Sequence, residues 1–148
     1  MDEYLRSLGD HLFNMFGIKT DRIRMRVVAD PVALSLDKAI PCSLLVNELV
    51  SNALKYAFPD DRHGEIGVTL RGLAPNRIRI EVRDDGVGFP KDLDYRNTNS
   101  LGLQLVMTFV DQLGGEIEMI WDHGTSFFIT FQSELSVAGG TPANARPV

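Results

Sequence analysis

Hydrophobic and polar positions follow two periods along this chain, and the switches between them outline its elements. In residues 2–17, Tyr4, Leu5, Leu8, Leu12, Met15 and Phe16 recur at helical spacing, and Gly17 can end the helix. Ile23–Ala29 (IRMRVVA) alternates apolar and basic residues, the pattern of a half-buried strand, and residues 32–36 are expected to pair with it as a short second strand. A longer helix is predicted over 41–58, PCSLLVNELVSNALKYAF, with Pro41 in its first turn and Pro59 ending it. Leu45, Val46, Leu49, Val50, Ala53, Leu54 and Ala57 form its apolar side. Two alternating strands follow at 65–71 and Arg77–Asp84, and their short connection predicts an antiparallel hairpin. After a polar stretch over 85–99 come a helix over Leu101–Leu113, a strand over Glu116–Trp121 and a last strand over 125–131.

Helices interleaved with mostly antiparallel strand pairs predict an α+β fold. It is a two-layer α/β sandwich with a mixed sheet and its helices on one face. The arginines alternating through Ile23–Ala29 and Arg77–Asp84 suit the other, solvated face. A length of 148 residues with 44% hydrophobic residues fits one domain, expected over 1–134. The end, 135–148, is rich in Ala, Gly and Pro and is expected to be a disordered tail. A net charge of −5 argues against a nucleic-acid or acidic-membrane surface. Cys42 is the single cysteine, so no internal disulfide can form. No apolar run reaches the roughly 18 residues of a membrane span. The start of the chain is charged from Asp2 onward and lacks a signal-peptide core, so a cytoplasmic location is expected.

The chemistry lies in four short pieces. On the long helix, Glu48, Asn52, Lys55 and Tyr56 fall three or four residues apart and share one side. A carboxylate, an amide, an ammonium and a phenol in one stripe can serve an anion and its metal, although an ordinary solvated face has the same look. Asp84-Asp85-Gly86-Val87-Gly88 leaves a strand, and its glycines let the backbone bend and approach a flat ligand. Ser100-Leu101-Gly102-Leu103 opens a helix, where backbone N–H groups receive phosphate oxygens well. Gly124-Thr125-Ser126 places a hydroxyl on the last strand.

Taken together in this order, ELVSNALKYAF, DDGVGF, SLGLQLV and GTSFFITF resemble the four boxes of the ATP-binding catalytic domain of bacterial two-component sensor histidine kinases. That domain belongs to the superfamily that includes gyrase and the mismatch-repair ATPases, and the leading segment is similar to its short-lid subgroup. The resemblance runs from about Tyr4 to Phe131 and implies a Bergerat-type ATP-binding fold with ATP and Mg²⁺ as ligands. It implies that Asn52 ligates the metal through its amide oxygen, and that Glu48 polarises the attacking group or a metal-bound water. Lys55 and Tyr56 would lie near the phosphates, and Asp84 would accept from the adenine 6-amino group. Gly86 and Gly88 would leave room for the base, Gly102 and Leu103 would bring phosphates to a helix start, and Thr125 would complete the adenine pocket.

The sequence departs from that pattern in places. Ser100 stands where many relatives have glycine, Asp85 replaces a frequent asparagine and adds negative charge near the nucleotide, and 90–99 is short for a lid. The partners implied are a phosphoacceptor histidine on a separate dimerisation domain and a downstream response regulator. His11 lacks the neighbours of an acceptor, and His63 and His123 fall in turns, so the chain reads as the catalytic part of a larger kinase or a partner to one. Two other classes stay open, an anti-sigma-type serine/threonine kinase and a non-enzymatic docking adaptor.

Overall fold

The computed structural model describes residues 22–30, 32, 34–60, 62–87, 101–121, 123–133 and 141–142. The first strand, β1 (Ile23–Ala29), leads into helix α1 (Leu36–Tyr56) and then β2 (Gly64–Ala74). β3 (Arg77–Asp84), α2 (Leu101–Leu113), β4 (Glu116–Trp121), β5 (Thr125–Gln132) and a two-residue β6 (Thr141–Pro142) complete the order. The amphipathic helix expected over 2–17 and the lid stretch over 88–100 lie outside the described residues.

The sheet runs β1-β2-β3-β5-β4. Only β1 and β2 pair in parallel along this path, and the other neighbours are antiparallel. Here the structure corrects the sequence reading at residues 32–36. The described ones, 32 and 34–36, form no strand beside β1, and Leu36 already opens α1. The reason is geometric. Ser35 takes an extended conformation as the helix N-cap, and its carbonyl accepts from the N–H groups of Lys38 (3.0 Å) and Ala39 (2.8 Å). Helix α1 then serves as the crossover that parallel strands require. Pro41 therefore sits inside the helix, not at its start.

β2 is longer than predicted, and only Pro75 and Asn76 turn the β2–β3 hairpin. β1 ends opposite Leu70, which leaves the last residues of β2 without a neighbour on that side. Thr141 and Pro142 pair there with Leu73 and Ala74. Two paired positions thus lie within the stretch expected to be a disordered tail.

One face of the sheet is dry. Ile66, Val68 and Leu70 of β2, Ile78, Ile80 and Val82 of β3, and Phe127, Ile129 and Phe131 of β5 are all buried there. Leu45, Val46, Leu49 and Val50 of α1 and Leu103, Val106, Val110 and Leu113 of α2 cover them. Each such side chain contributes about 1.5–3 kcal/mol when removed from water, so this core dominates folding.

The two helices lie antiparallel, tied at both ends. Lys38 Nζ donates to the Leu113 carbonyl at 2.8 Å, satisfying an otherwise unpaired acceptor at the negative end of α2. At that end the Gly114 N–H reaches Asp111 O and the Gly115 N–H reaches Val110 O, both at 3.0 Å. Gly114 adopts φ 65°, so the run Leu113-Gly114-Gly115 stops the helix as glycines at this position do. At the opposite end of the pair, Gly102 of α2 lies against Asn52 and Glu48 of α1, two of the candidate site residues.

Candidate functional site

The stripe read on the long helix divides according to depth. Asn52 is buried at 8% exposure and Glu48 is half-buried, whereas Lys55 and Tyr56 are exposed at the rim. The first turn of α2 closes over the inner two. A Cβ added at Gly102 would sit 3.2 Å from Asn52 Oδ1, 3.2 Å from Glu48 Oε2 and 3.4 Å from Asn52 Nδ2. Glycine thus lets the positive end of α2 come within touching distance of an amide and a carboxylate. Both side chains offer the hard oxygen donors that Mg²⁺ prefers. The Leu103 side chain is buried in the core. Only its backbone is placed to face a ligand.

Asp84 ends β3 on the helix-covered side of the sheet. Its Oδ1 accepts from the Gly86 N–H at 2.9 Å. Burial pushes the Asp84 carboxyl above the usual carboxylate range, although the Gly86 and Thr125 backbone N–H groups pull it back. Neighbouring Asp85 adds a smaller upward push, and Arg62 a downward one. Thr125 faces Asp84 in register across the β3–β5 pair. It is 2% exposed, and its Oγ1 is buried without a partner. A buried hydroxyl left unpaired costs about 1–3 kcal/mol, so a ligand or water that reaches it gains accordingly. Leu49, Asn52, Ala53, Tyr56, Ala57, Val82, Asp84 and Phe127 line a narrow cavity of about 20 Å³. A larger cavity of about 480 Å³ lies beside β4 and contains none of the residues singled out from the sequence.

The glycines divide by role. A Cβ at Gly86 would fall 2.1 Å from the Ala57 carbonyl oxygen and 2.6 Å from Ala57 Cβ. The Gly86 Cα thus faces the end of α1, whose Ala57 carbonyl also accepts from the Val87 N–H at 2.9 Å. Gly86 therefore docks the loop onto the helix that carries Asn52. Gly124, at φ 129°, would collide through a Cβ with the Asp84 carbonyl oxygen at 2.0 Å. It thereby fixes the β4–β5 turn against Asp84. The Asp85 side chain points to the start of β2, where its Oδ1 accepts from the Glu65 N–H at 2.8 Å. Its charge still lies near enough to act on Asp84. Gly88, Ser100 and His11 lie outside the described residues, and His63 and His123 are exposed.

The sequence reading missed the apolar walls Leu49, Val82 and Phe127, because their spacing marks them only as core. It also missed Trp121, which pairs with Thr125 in register and whose indole N–H is likewise buried without a partner. Among the described residues no group of three or more His, Cys, Asp or Glu side chains could hold a metal. At the start of α2 the described oxygen donors that come together are those of Asn52 and Glu48.

Residues 37–135 match the model of the family described as histidine kinase-, DNA gyrase B-, and HSP90-like ATPases. The chain belongs to this family. The ATPase domain is 33% identical over 114 residues to blue-light-activated histidine kinase 2 of Erythrobacter litoralis, covering 77% of this chain and 33% of that protein. It is 37% identical over 99 residues to the sensor histidine kinase PdtaS of Mycobacterium tuberculosis, covering 66% of this chain and 20% of that one. A serine-protein kinase, RsbW of Bacillus cereus, is 28% identical over 137 residues, with 82% of each chain covered. Among solved structures, the E. litoralis EL346 blue-light activated histidine kinase superposes with a TM-score of 0.82 at 30% identity, covering 89% of this chain and 41% of that one. The chain thus spans about a third or less of its curated histidine kinase relatives. The ATPase domain keeps the mixed, mostly antiparallel sheet with helices on one face, and among its described residues no helix is long and apolar enough to cross a membrane.

Proposed function

We propose that this domain binds Mg·ATP in the cleft between α1, α2 and the ends of β3 and β5, and donates the γ-phosphate to a histidine on a separate dimerisation and phosphoacceptor domain. The supporting observation is the meeting of Asn52 and Glu48 with Gly102 at the first turn of α2, with Asp84 lining the same cavity as Asn52 from the facing sheet and the unpaired Thr125 hydroxyl beside it in register. Asp84 accepts from the adenine 6-amino group, and Thr125 Oγ1 bonds the base directly or through a water. The α2 N-terminus and exposed Lys55 attract the phosphates, and Tyr56 lines their path. Asn52 holds the metal through its amide oxygen. Glu48, half-buried one turn away, orients the attacking nitrogen. The metal, when bound, neutralises charge that builds on the transferred phosphoryl group. A response regulator then takes the phosphate from the acceptor, and the whole relay is cytoplasmic.

The RsbW match favours a second reading, transfer to serine on a partner protein. Acid chemistry separates the two. The domain is mixed with labelled ATP, Mg²⁺ and candidate acceptor domains, and the labelled product is then treated with acid and with base. Phosphohistidine is lost in acid and survives base, which is the expected result. A product that survives acid and is lost in base would point to serine transfer instead, and no nucleotide binding at all would leave only a docking role.

A further inference from the structure

The nucleotide cleft uses the helix-covered face of the sheet. The opposite face is open, and its charge is unlike that of the whole chain. Arg24 and Arg26 on β1, Arg71 on β2, and Arg77, Arg79 and Arg83 on β3 are all exposed there. They are six of the eleven arginines, in a chain of net charge −5, and the two described lysines, Lys38 and Lys55, lie on α1 instead. Arg71 stands directly opposite Arg79 in the β2–β3 register. Like charges in such a pair destabilise a sheet unless something anionic lies over them. Arg79 is also fixed in orientation, with its Cζ 4.5 Å from the centre of the Phe128 ring. Thr69, Arg71, Arg79, Glu81 and Phe128 line a depression of about 130 Å³.

A second observation comes from Gly67. It lies between Arg26 on one side and Arg83 on the other, in one cross-strand row. The register runs through it without a bulge on either side, and its φ is not positive. An added Cβ would meet nothing nearer than the Arg83 side chain at 3.7 Å, an ordinary contact. Neither backbone conformation nor packing calls for glycine in the middle of this strand, where it weakens pairing. Its bare backbone leaves a notch between two guanidinium groups, and a glycine within a strand marks a place where another chain can approach closely.

We propose that this face docks an acidic segment of a partner protein, with one carboxylate over the Gly67 notch between Arg26 and Arg83 and another between Arg71 and Arg79. Arginine, with its planar fork of donors, suits bidentate carboxylate recognition in a way that lysine does not. Positions 67 and 71 are four residues apart on one strand, so the two carboxylates stand about 13 Å apart. Glu116 and Glu118 on the edge strand β4, and Glu81 between Arg79 and Arg83 on β3, repel a long phosphate backbone and favour a short peptide. This surface is on the far side of the sheet from Asn52 and Asp84, so it stands whether or not the nucleotide reading does.

The test uses octaglutamate as the probe, titrated at low salt into the ¹⁵N-labelled full chain, with octalysine and a single-stranded oligonucleotide of equal charge as controls. Octaglutamate is expected to shift the amides of Arg26, Gly67, Arg71, Arg79 and Arg83, and ATP should not displace it. The double reversal Arg26→Glu with Arg71→Glu should weaken binding about tenfold, as two lost exposed ion pairs would. Gly67→Val should also weaken binding while raising the melting temperature, which separates a filled notch from a damaged fold. Shifts gathered instead around Asn52 and Gly102 would overturn the proposal. So would affinity indifferent to these substitutions, or an oligonucleotide that binds as tightly as the peptide.

Discussion

Replacing Asp84 by asparagine should stabilise the nucleotide-free domain while weakening nucleotide binding. Burial raises the Asp84 carboxyl above its ordinary value of 3.8, and the Gly86 N–H at 2.9 Å offsets this only in part. Ionising Asp84 is therefore harder in the folded chain than in the unfolded one. Stability from this group is fully present below the unfolded carboxylate value and is lost as pH rises through the raised folded value. Asparagine keeps an oxygen for the Gly86 N–H and removes the charge. At pH 7 Asp84→Asn should melt above the wild type, and the gap should close as pH falls below about 4. Binding should move the other way. With its one oxygen on Gly86, the asparagine turns an NH₂ toward the adenine amino group. The lost bond to a charged acceptor contributes about 1.5–3 kcal/mol, roughly ten- to hundredfold in ATP affinity. Preference for ATP over GTP should fall with it. Thermal melts from pH 3 to 8 and calorimetric titrations with both nucleotides read out these effects. A variant that melts below the wild type by the same margin at every pH, or binds ATP as tightly, would refute the reasoning.

Three further outcomes follow from the same geometry. Asn52→Ala should leave the fold intact, by circular dichroism, and abolish phosphoryl transfer to a supplied acceptor domain, because it removes the proposed metal ligand. Gly86→Ala should cost about 3 kcal/mol in urea unfolding, since its methyl group would meet the Ala57 carbonyl at 2.1 Å and break the Val87 bond. Gly114→Ala has open space around it and should lose only the left-handed backbone term, about 1–2 kcal/mol, so equal losses at both glycines would contradict the assignment of a clash to Gly86.

Much of the architecture was legible because it depends on short-range periodicity. The strands Arg77–Asp84 and Glu116–Trp121 and the helix Leu101–Leu113 have the bounds their patterns predict. Alternation of period two and apolar spacing of 3.6 are set within each segment, so the chain declares them locally. The family was legible for a different reason, four short boxes in one order. The start of α1 was not, because Pro41 is a strong local stop or start signal, and the Ser35 cap that overrides it has no side-chain bond to announce it.

What the sequence determined was which residues are candidates for the chemistry: Asn52, Glu48, Asp84 and Thr125 stand in the four short boxes that resemble the family's. What the tertiary structure decided was which of them meet. Gly102 reaches Asn52 and Glu48 only because Lys38 and the end of α2 at Leu113 fix the helices antiparallel. Gly86 became a packing contact with Ala57, and not simply room for a ligand, only when β3 ended beside the last turn of α1. The same holds for the arginine face, where Arg26, Gly67 and Arg83 come from three strands and become neighbours through register alone. Contacts between residues far apart in sequence depend on how whole elements pack, and no local pattern encodes that distance.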